Sequence, residues 1–182
     1  MFKPWPKITR LENKRPPIFT EKIDGTNACV IVAYKNPDAN SIASVVNNGG
    51  ILSIWAQSRT RLITPENDNY GFAKWVRSNS EELLSLGEGY HFGEWWGQGI
   101  NRGYGLTEKR FSLFNTRRWG LHNPNTPKCC HVVPIITTHF PQDALAQLRD
   151  YGSIAAPGWM KPEGAVMYEP DTDTCFKIIM DK

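Results

Sequence analysis

Short runs of β-branched and aromatic residues, fenced by glycine, asparagine and proline, follow one another along this chain with few helical stretches between them. That order restricts the fold more than any other feature. Residues 28–34 and 51–57 are two such runs, with Asn47-Asn48-Gly49-Gly50 as the turn before the second. Residues 90–96, 110–114 and 131–137 have the same character, and the chain closes on a hairpin of 164–168 and 175–180 around a Glu-Pro-Asp-Thr-Asp turn. Two stretches carry helical spacing instead. Within 70–86, Phe72, Trp75, Val76, Leu83 and Leu84 share a face, with Asn67 or Asp68 as cap and Gly87 as stop. Within 141–151, Ala144, Leu145 and Leu148 do so, with Gly152 as stop. Strands outnumber helices and do not alternate with them, which predicts an α+β fold of mostly antiparallel sheet with a few flanking helices. Residues 1–20, with Pro4, Pro6, Pro16 and Pro17 among Lys and Arg, read as an extended lead-in.

A chain of 182 residues is one domain by length, expected to span 1–182. Its 40% hydrophobic and 21% charged content belongs to a globular protein, not a disordered one. The seven tryptophans (Trp5, Trp55, Trp75, Trp95, Trp96, Trp119 and Trp159) should mostly be core or cleft residues. A net charge of +3 is compatible with a polyanionic partner and equally with solubility. Cys29, Cys129, Cys130 and Cys175 form no disulfide framework, no secretory segment opens the chain, and no apolar run approaches the ~18 residues that span a bilayer. The expectation is a cytoplasmic, intracellular protein with reduced thiols and no membrane partner. Cys129-Cys130-His131 is the only hint of a metal cluster, but adjacent cysteines rarely ligate one zinc and no second ligand pair follows.

Chemistry is concentrated in Glu21-Lys22-Ile23-Asp24-Gly25-Thr26-Asn27, just before the run at 28–34. A lysine attacks only when neutral, so a nucleophilic Lys22 needs neighbouring cations or desolvation. Asp24-Gly25 offers a tight turn whose backbone N–H groups can face an anion. A surface lysine before a β-turn has the same local sequence.

The segment resembles motif I of the covalent nucleotidyltransferases, the superfamily of RNA ligases, DNA ligases and mRNA capping enzymes, and further motifs follow in order. Gln57-Ser58-Arg59-Thr60-Arg61 is similar to motif Ia, Phe92-Gly93-Glu94-Trp95-Trp96-Gly97 to motif III and Phe111-Ser112-Leu113-Phe114-Asn115 to motif IIIa. Glu163-Gly164-Ala165-Val166 is similar to motif IV, and Phe176-Lys177-Ile178-Ile179 to motif V. The resemblance implies a single ligase-type nucleotidyltransferase domain, an ATP-grasp-like ligase core. It also implies ATP and Mg²⁺ (or Mn²⁺) as cofactors, with AMP carried covalently on Lys22 and nucleic acid as partner.

By the same resemblance Lys22 attacks the α-phosphate of ATP and releases pyrophosphate. The AMP passes to a 5′-phosphate, and a 3′-hydroxyl displaces it to join the strands. Glu21, Lys22, Asp24, Gly25 and Asn27 then belong to the nucleotide site. Glu94 holds the ribose hydroxyls, Phe114 (with Phe111 as rival) stacks on adenine, Arg59 (with Arg61 as rival) meets nucleotide or strand, Glu163 binds metal, and Lys177 contacts the α-phosphate. A hairpin centred near Asp171 brings Glu163 opposite Lys177, with Val166, Phe176 and Ile178 in the core.

Three departures narrow this reading. Asn115 stands where the family has Asp, and Ile179 stands where motif V carries a second lysine, with Lys182 the only later one. The chain ends directly after motif V, where DNA ligases and capping enzymes carry an OB-fold, so no OB-fold is expected. Asn27 replaces the arginine common in those enzymes, and Gly25-Thr26-Asn27 resembles phage RNA ligases of the second type, which favours RNA over DNA and suggests a phage-encoded protein. A small ATP-dependent DNA ligase, a non-sealing module that binds nucleotide or nucleic-acid ends, and a small-molecule adenylyltransferase are the alternatives. Oligomeric state is not legible.

Overall fold

The computed structural model describes residues 14–120 and 123–180; Trp5, Lys182 and most of the expected lead-in lie outside them. Among the described residues eleven strands and three α-helices make an α+β fold, as the order of runs predicts. The strands are β1 (Ile18–Lys22), β2 (Thr26–Tyr34), β3 (Ala43–Asn47), β4 (Gly50–Ser58), β5 (Leu62–Ile63), β6 (Gly89–Gly97), β7 (Lys109–Leu113), β8 (Cys130–Val132), β9 (Ile135–Ile136), β10 (Gly164–Glu169) and β11 (Thr174–Ile179). The helices are α1 (Phe72–Ser78), α2 (Ser80–Leu84) and α3 (Pro141–Tyr151).

A seven-stranded sheet runs β3-β4-β2-β6-β7-β8 with β5 on β4, and a four-stranded sheet runs β11-β10-β1-β9. All pairs are antiparallel except β7 with β8. Alternation decides which face each strand buries. On β2 and β4, Ala28, Val30, Val32, Leu52, Ile54 and Ala56 face Phe72, Ala73, Val76 and Leu83 of the two short helices. A second core joins Phe19, Ile136 and Ala165 of the small sheet to Ala144 and Leu148 of α3. A third, of Ile23, Trp96, Tyr104, Val133 and Ala156, packs where the sheets meet.

Four expectations change. The lead-in ends earlier: Ile18, Phe19 and Thr20, free of the prolines before them, form the start of β1, so Lys22 closes one strand as well as preceding another, β2. The run at 131–137 is broken at Pro134, which has no N–H for a ladder; β8 stays in the large sheet and β9 joins the small one. The stretch at 70–86 is two helices divided at Asn79, whose side chain donates to the Trp75 carbonyl. Gly71 takes the N-cap position of the first, and the Asp68 carboxylate, from further back, accepts from the Ala73 and Lys74 amides. In the terminal hairpin Glu169 pairs with Thr174, which sets Lys177 opposite Val166 and places Glu163 beside Met180. The turn keeps four residues unpaired, with Asp173 in the left-handed region, and slides the register by three from that expected. Val166 therefore shares the face of Lys177, and Phe176 is half exposed and not a core residue.

Among the described residues no helix is long and apolar enough to cross a membrane.

Candidate active site

A cavity of about 880 Å³ opens between the two sheets. Lys22, Asn27, Glu94, Phe114 and Val166 line it together, with Arg117, Tyr168 and Cys175 toward its other end. The β1–β10 ladder ends on the pair Lys22–Gly164. Glu163 stands one residue before that pair, and its Oε2 lies 2.6 Å from Lys22 Nζ. Both side chains are shielded, 27% and 18% exposed. Gly164 has φ +152°, and a Cβ there would collide with the Ile178 carbonyl, so only glycine lets β10 and β11 approach this closely beside Glu163.

Glu94 pairs with Asn27 across β2 and β6. Its carboxylate accepts from the Gly25 amide and from Asn27 Nδ2, both at 3.1 Å. It is 8% exposed, and burial pushes its pKa up to about 7 against the pull of those bonds and of Lys22. A Cβ on Gly25 would lie 2.5 Å from the Trp95 carbonyl and 2.7 Å from the Trp96 Cβ, so the turn touches β6 only because it has no side chain. The backbone N–H groups at this turn are taken up by side chains of the protein. That of Asp24 donates to Tyr104 Oη at 2.8 Å, and that of Gly25 to Glu94.

The remaining candidates separate clearly. Phe114 is exposed in the cavity, whereas Phe111 is fully buried against Phe72 at 5.0 Å between ring centroids. The two lie on one chain segment with opposite duties. Glu21 borders the cavity, but its carboxylate turns away and accepts from Ser153 Oγ (2.5 Å) and the Ile154 and Ala155 amides (2.8 Å each). Burial raises its pKa, opposed by those three donors. Asp24 accepts from Asn101 Nδ2 at 2.9 Å and Arg102 Nε at 2.8 Å. Arg61 staples the following loop through the Asn67 and Asp68 carbonyls. Arg59 is exposed, one residue past the pair Ala28–Ser58 and so beside the Asn27 end of β2, outside the cavity lining. Lys177 is exposed on β11 and shares a sheet face with its pair Val166, but it is outside the cavity lining and makes no hydrogen bond or ion pair among the described residues.

Cys129 and Cys130 have their sulfurs 4.0 Å apart, with Cys130 buried in β8 beside Phe111. No cluster of three His, Cys, Asp or Glu suited to a metal occurs among the described residues. Glu163 is thus a single carboxylate beside the nucleophile candidate. That fits Mg²⁺, which binds through one or two carboxylates and completes its shell with water and phosphate oxygens. Sequence reasoning missed Asn101, Arg102, Tyr104 and Ser153. The stretch Gly97-Gln98-Gly99-Ile100-Asn101-Arg102-Gly103-Tyr104-Gly105, with four glycines in nine residues, was the available signal for the first three.

Residues 15–179 match the family described as RNA ligase. Solved structures of Naegleria gruberi RNA ligase share the fold: a variant with ATP and Mn (TM-score 0.56, 21% identity), an apo variant (0.59, 23%) and a variant with AMP and Mn (0.54, 22%). The first two are matched over 92% of this chain and 50% of theirs, so the chain spans about half the length of those proteins. Comparison with curated proteins gives no match.

Proposed function

The chain belongs to the RNA ligase family, and we propose that it is an ATP-dependent RNA ligase whose cavity takes ATP and transfers AMP to Lys22. The observation that carries this reading is Lys22 held 2.6 Å from Glu163 at the edge of a cavity that also presents Glu94 and Phe114. Adenine lies against Phe114, with Val166 across the cleft. The ribose hydroxyls reach Glu94, which Gly25 and Asn27 fix in place. This sets the α-phosphate before Lys22.

Lys22 Nζ, once it has given up its proton, attacks the α-phosphorus. An N–P bond forms, the bond to the bridging oxygen breaks, and pyrophosphate leaves. Glu163 would hold Mg²⁺ or Mn²⁺, which would supply charge neutralisation to the phosphates. Lys177, on the face of β11 that it shares with Val166, and Arg59, beside the Asn27 end of β2, are exposed cations outside the cavity lining, available to phosphate oxygens and to an incoming strand. The AMP then passes to a 5′-phosphate, and a 3′-hydroxyl displaces it. RNA is the expected strand, and DNA is the competing one.

Incubation with Mg²⁺ and α-labelled ATP, GTP or NAD tests the first step. Covalent label from ATP that disappears in Lys22→Ala is the expected result, and no label from any nucleotide sinks the reading. Comparing nicked and single-stranded RNA and DNA then tests the acceptor, with sealing of DNA alone overturning the RNA assignment.

A further inference from the structure

Resting on the reading above, we infer that Arg102 is a positioning residue for the first chemical step, the centre of a clamp that fixes Lys22 relative to Glu163. Its guanidinium spans two segments: Nε donates to Asp24 Oδ2 at 2.8 Å, and Nη1 to the Lys161 carbonyl at 3.0 Å. Asp24 lies two residues after Lys22, and Lys161 two residues before Glu163. One planar side chain therefore ties together the two segments that run on beyond the Lys22–Gly164 end of the β1–β10 ladder, one just after the nucleophile and one just before its partner.

The loop around Arg102 supports the same turn from both sides. Asn101 Nδ2 donates to Asp24 Oδ1 at 2.9 Å and to the Gly25 carbonyl at 2.7 Å. Tyr104 Oη accepts from the Asp24 amide at 2.8 Å. The Tyr104 ring is 97% buried, edge-on to Trp96 at 5.0 Å and tilted against Trp159 at 5.7 Å, and Trp159 Nε1 donates to the same Lys161 carbonyl. To deliver these groups the backbone takes left-handed angles at Asn101 (φ 43°) and Tyr104 (φ 53°) as well as at Gly99, Gly103 and Gly105. A buried tyrosine in that region costs on the order of 1–3 kcal/mol and persists only where its surroundings enforce it. Every polar contact of this loop made by Asn101 or by Arg102 Nε goes to Asp24 or Gly25. The Asp24 carboxylate has both oxygens occupied here, so its place in the Lys-x-Asp-Gly pattern is to receive the clamp.

A clamp of this kind governs geometry at the reacting atoms and not affinity for the nucleotide. Single-turnover formation of the lysyl-AMP adduct, followed over a range of ATP, separates the two. Arg102→Ala is expected to lower the maximal rate roughly 10- to 100-fold while the half-saturating ATP shifts less than about threefold. Arg102→Lys, with no fork to span both acceptors, should restore little of it. Tyr104→Phe removes only the hydroxyl that accepts from the Asp24 amide and should lower the rate about 3- to 10-fold with a loss of only about 1–3 kcal/mol in stability, which keeps the test decisive if Arg102→Ala does not fold. An unchanged maximal rate in Arg102→Ala and Tyr104→Phe, or a loss appearing wholly as a higher ATP requirement, overturns the clamp while leaving the adenylylation reading intact. A wild-type protein that forms no adduct overturns both.

Discussion

At the scale of single residues, Glu94 carries a stability cost with a defined pH signature. Its folded pKa of about 7 lies above that of an exposed carboxylate, so between about pH 4.5 and 7 the folded chain keeps a proton that the unfolded chain has released. Stability is therefore highest below that window and falls as pH rises through it, by up to about 3 kcal/mol for this group. Glu94→Gln should remove this fall. Urea melts should show the variant more stable than wild type at pH 8 and equal at pH 4.5, while its ATP requirement rises. Glu21, raised by burial, leaves a smaller slope of the same sign in both proteins. Gly25→Ala makes the opposite trade: a methyl group 2.5 Å from the Trp95 carbonyl pushes the turn off β6. A loss of about 2–4 kcal/mol in melts, with adduct formation abolished, is expected. Lys22, Glu94, Phe114 and Glu163 were picked out in the sequence by their resemblance to the ligase motifs, whereas strand pattern alone would assign an aromatic such as Phe114 to the core. Arg102 was not, since its role depends on a loop some eighty residues from Asp24 whose left-handed backbone has no periodicity to read.

At the scale of elements, β7 and the residue after it show how alternation divides structural from chemical work. Phe111 points into the core with Phe72 and Trp75, while Phe114 emerges in the cavity. Phe111→Ala should cost about 3–5 kcal/mol in chemical denaturation. Phe114→Ala should stay within about 1 kcal/mol of wild type and raise the ATP requirement. The terminal hairpin marks where sequence reasoning stops. Both of its strands and the turn between them were evident, yet an error in turn length moved every cross-strand pair together. The expected Glu163–Lys177 pairing gave way to Val166–Lys177, and the actual partner of Glu163 is Lys22 on β1. A long-range contact of that kind needs the order of strands in the sheet, which local pattern does not contain.

At the scale of the whole molecule, the cavity is bounded by two sheets with separate cores, one under α1 and α2 and one under α3. Leu148→Ala, beneath α3 and fully buried, should cost about 2–5 kcal/mol and act on the small sheet first. Adduct formation is then expected to fail at a lower urea concentration than the fluorescence change of Trp95 and Trp119 in the large core, and a single coincident transition would argue against separate cores. Among the described residues the chain passes from one sheet to the other at only two places, through residues 23–25 and through residues 133–134. Two or three residues reach at most about 10 Å, so these crossings act as the spine of a book. The covers can part by rotation but not by sliding away. Lys22 is bound into that spine, and Arg117, Tyr168 and Cys175 stand toward the fore-edge. Widening the cleft for a bulky substrate therefore moves the far rim most and the nucleophile least, so the reacting atoms keep their alignment while the mouth changes width.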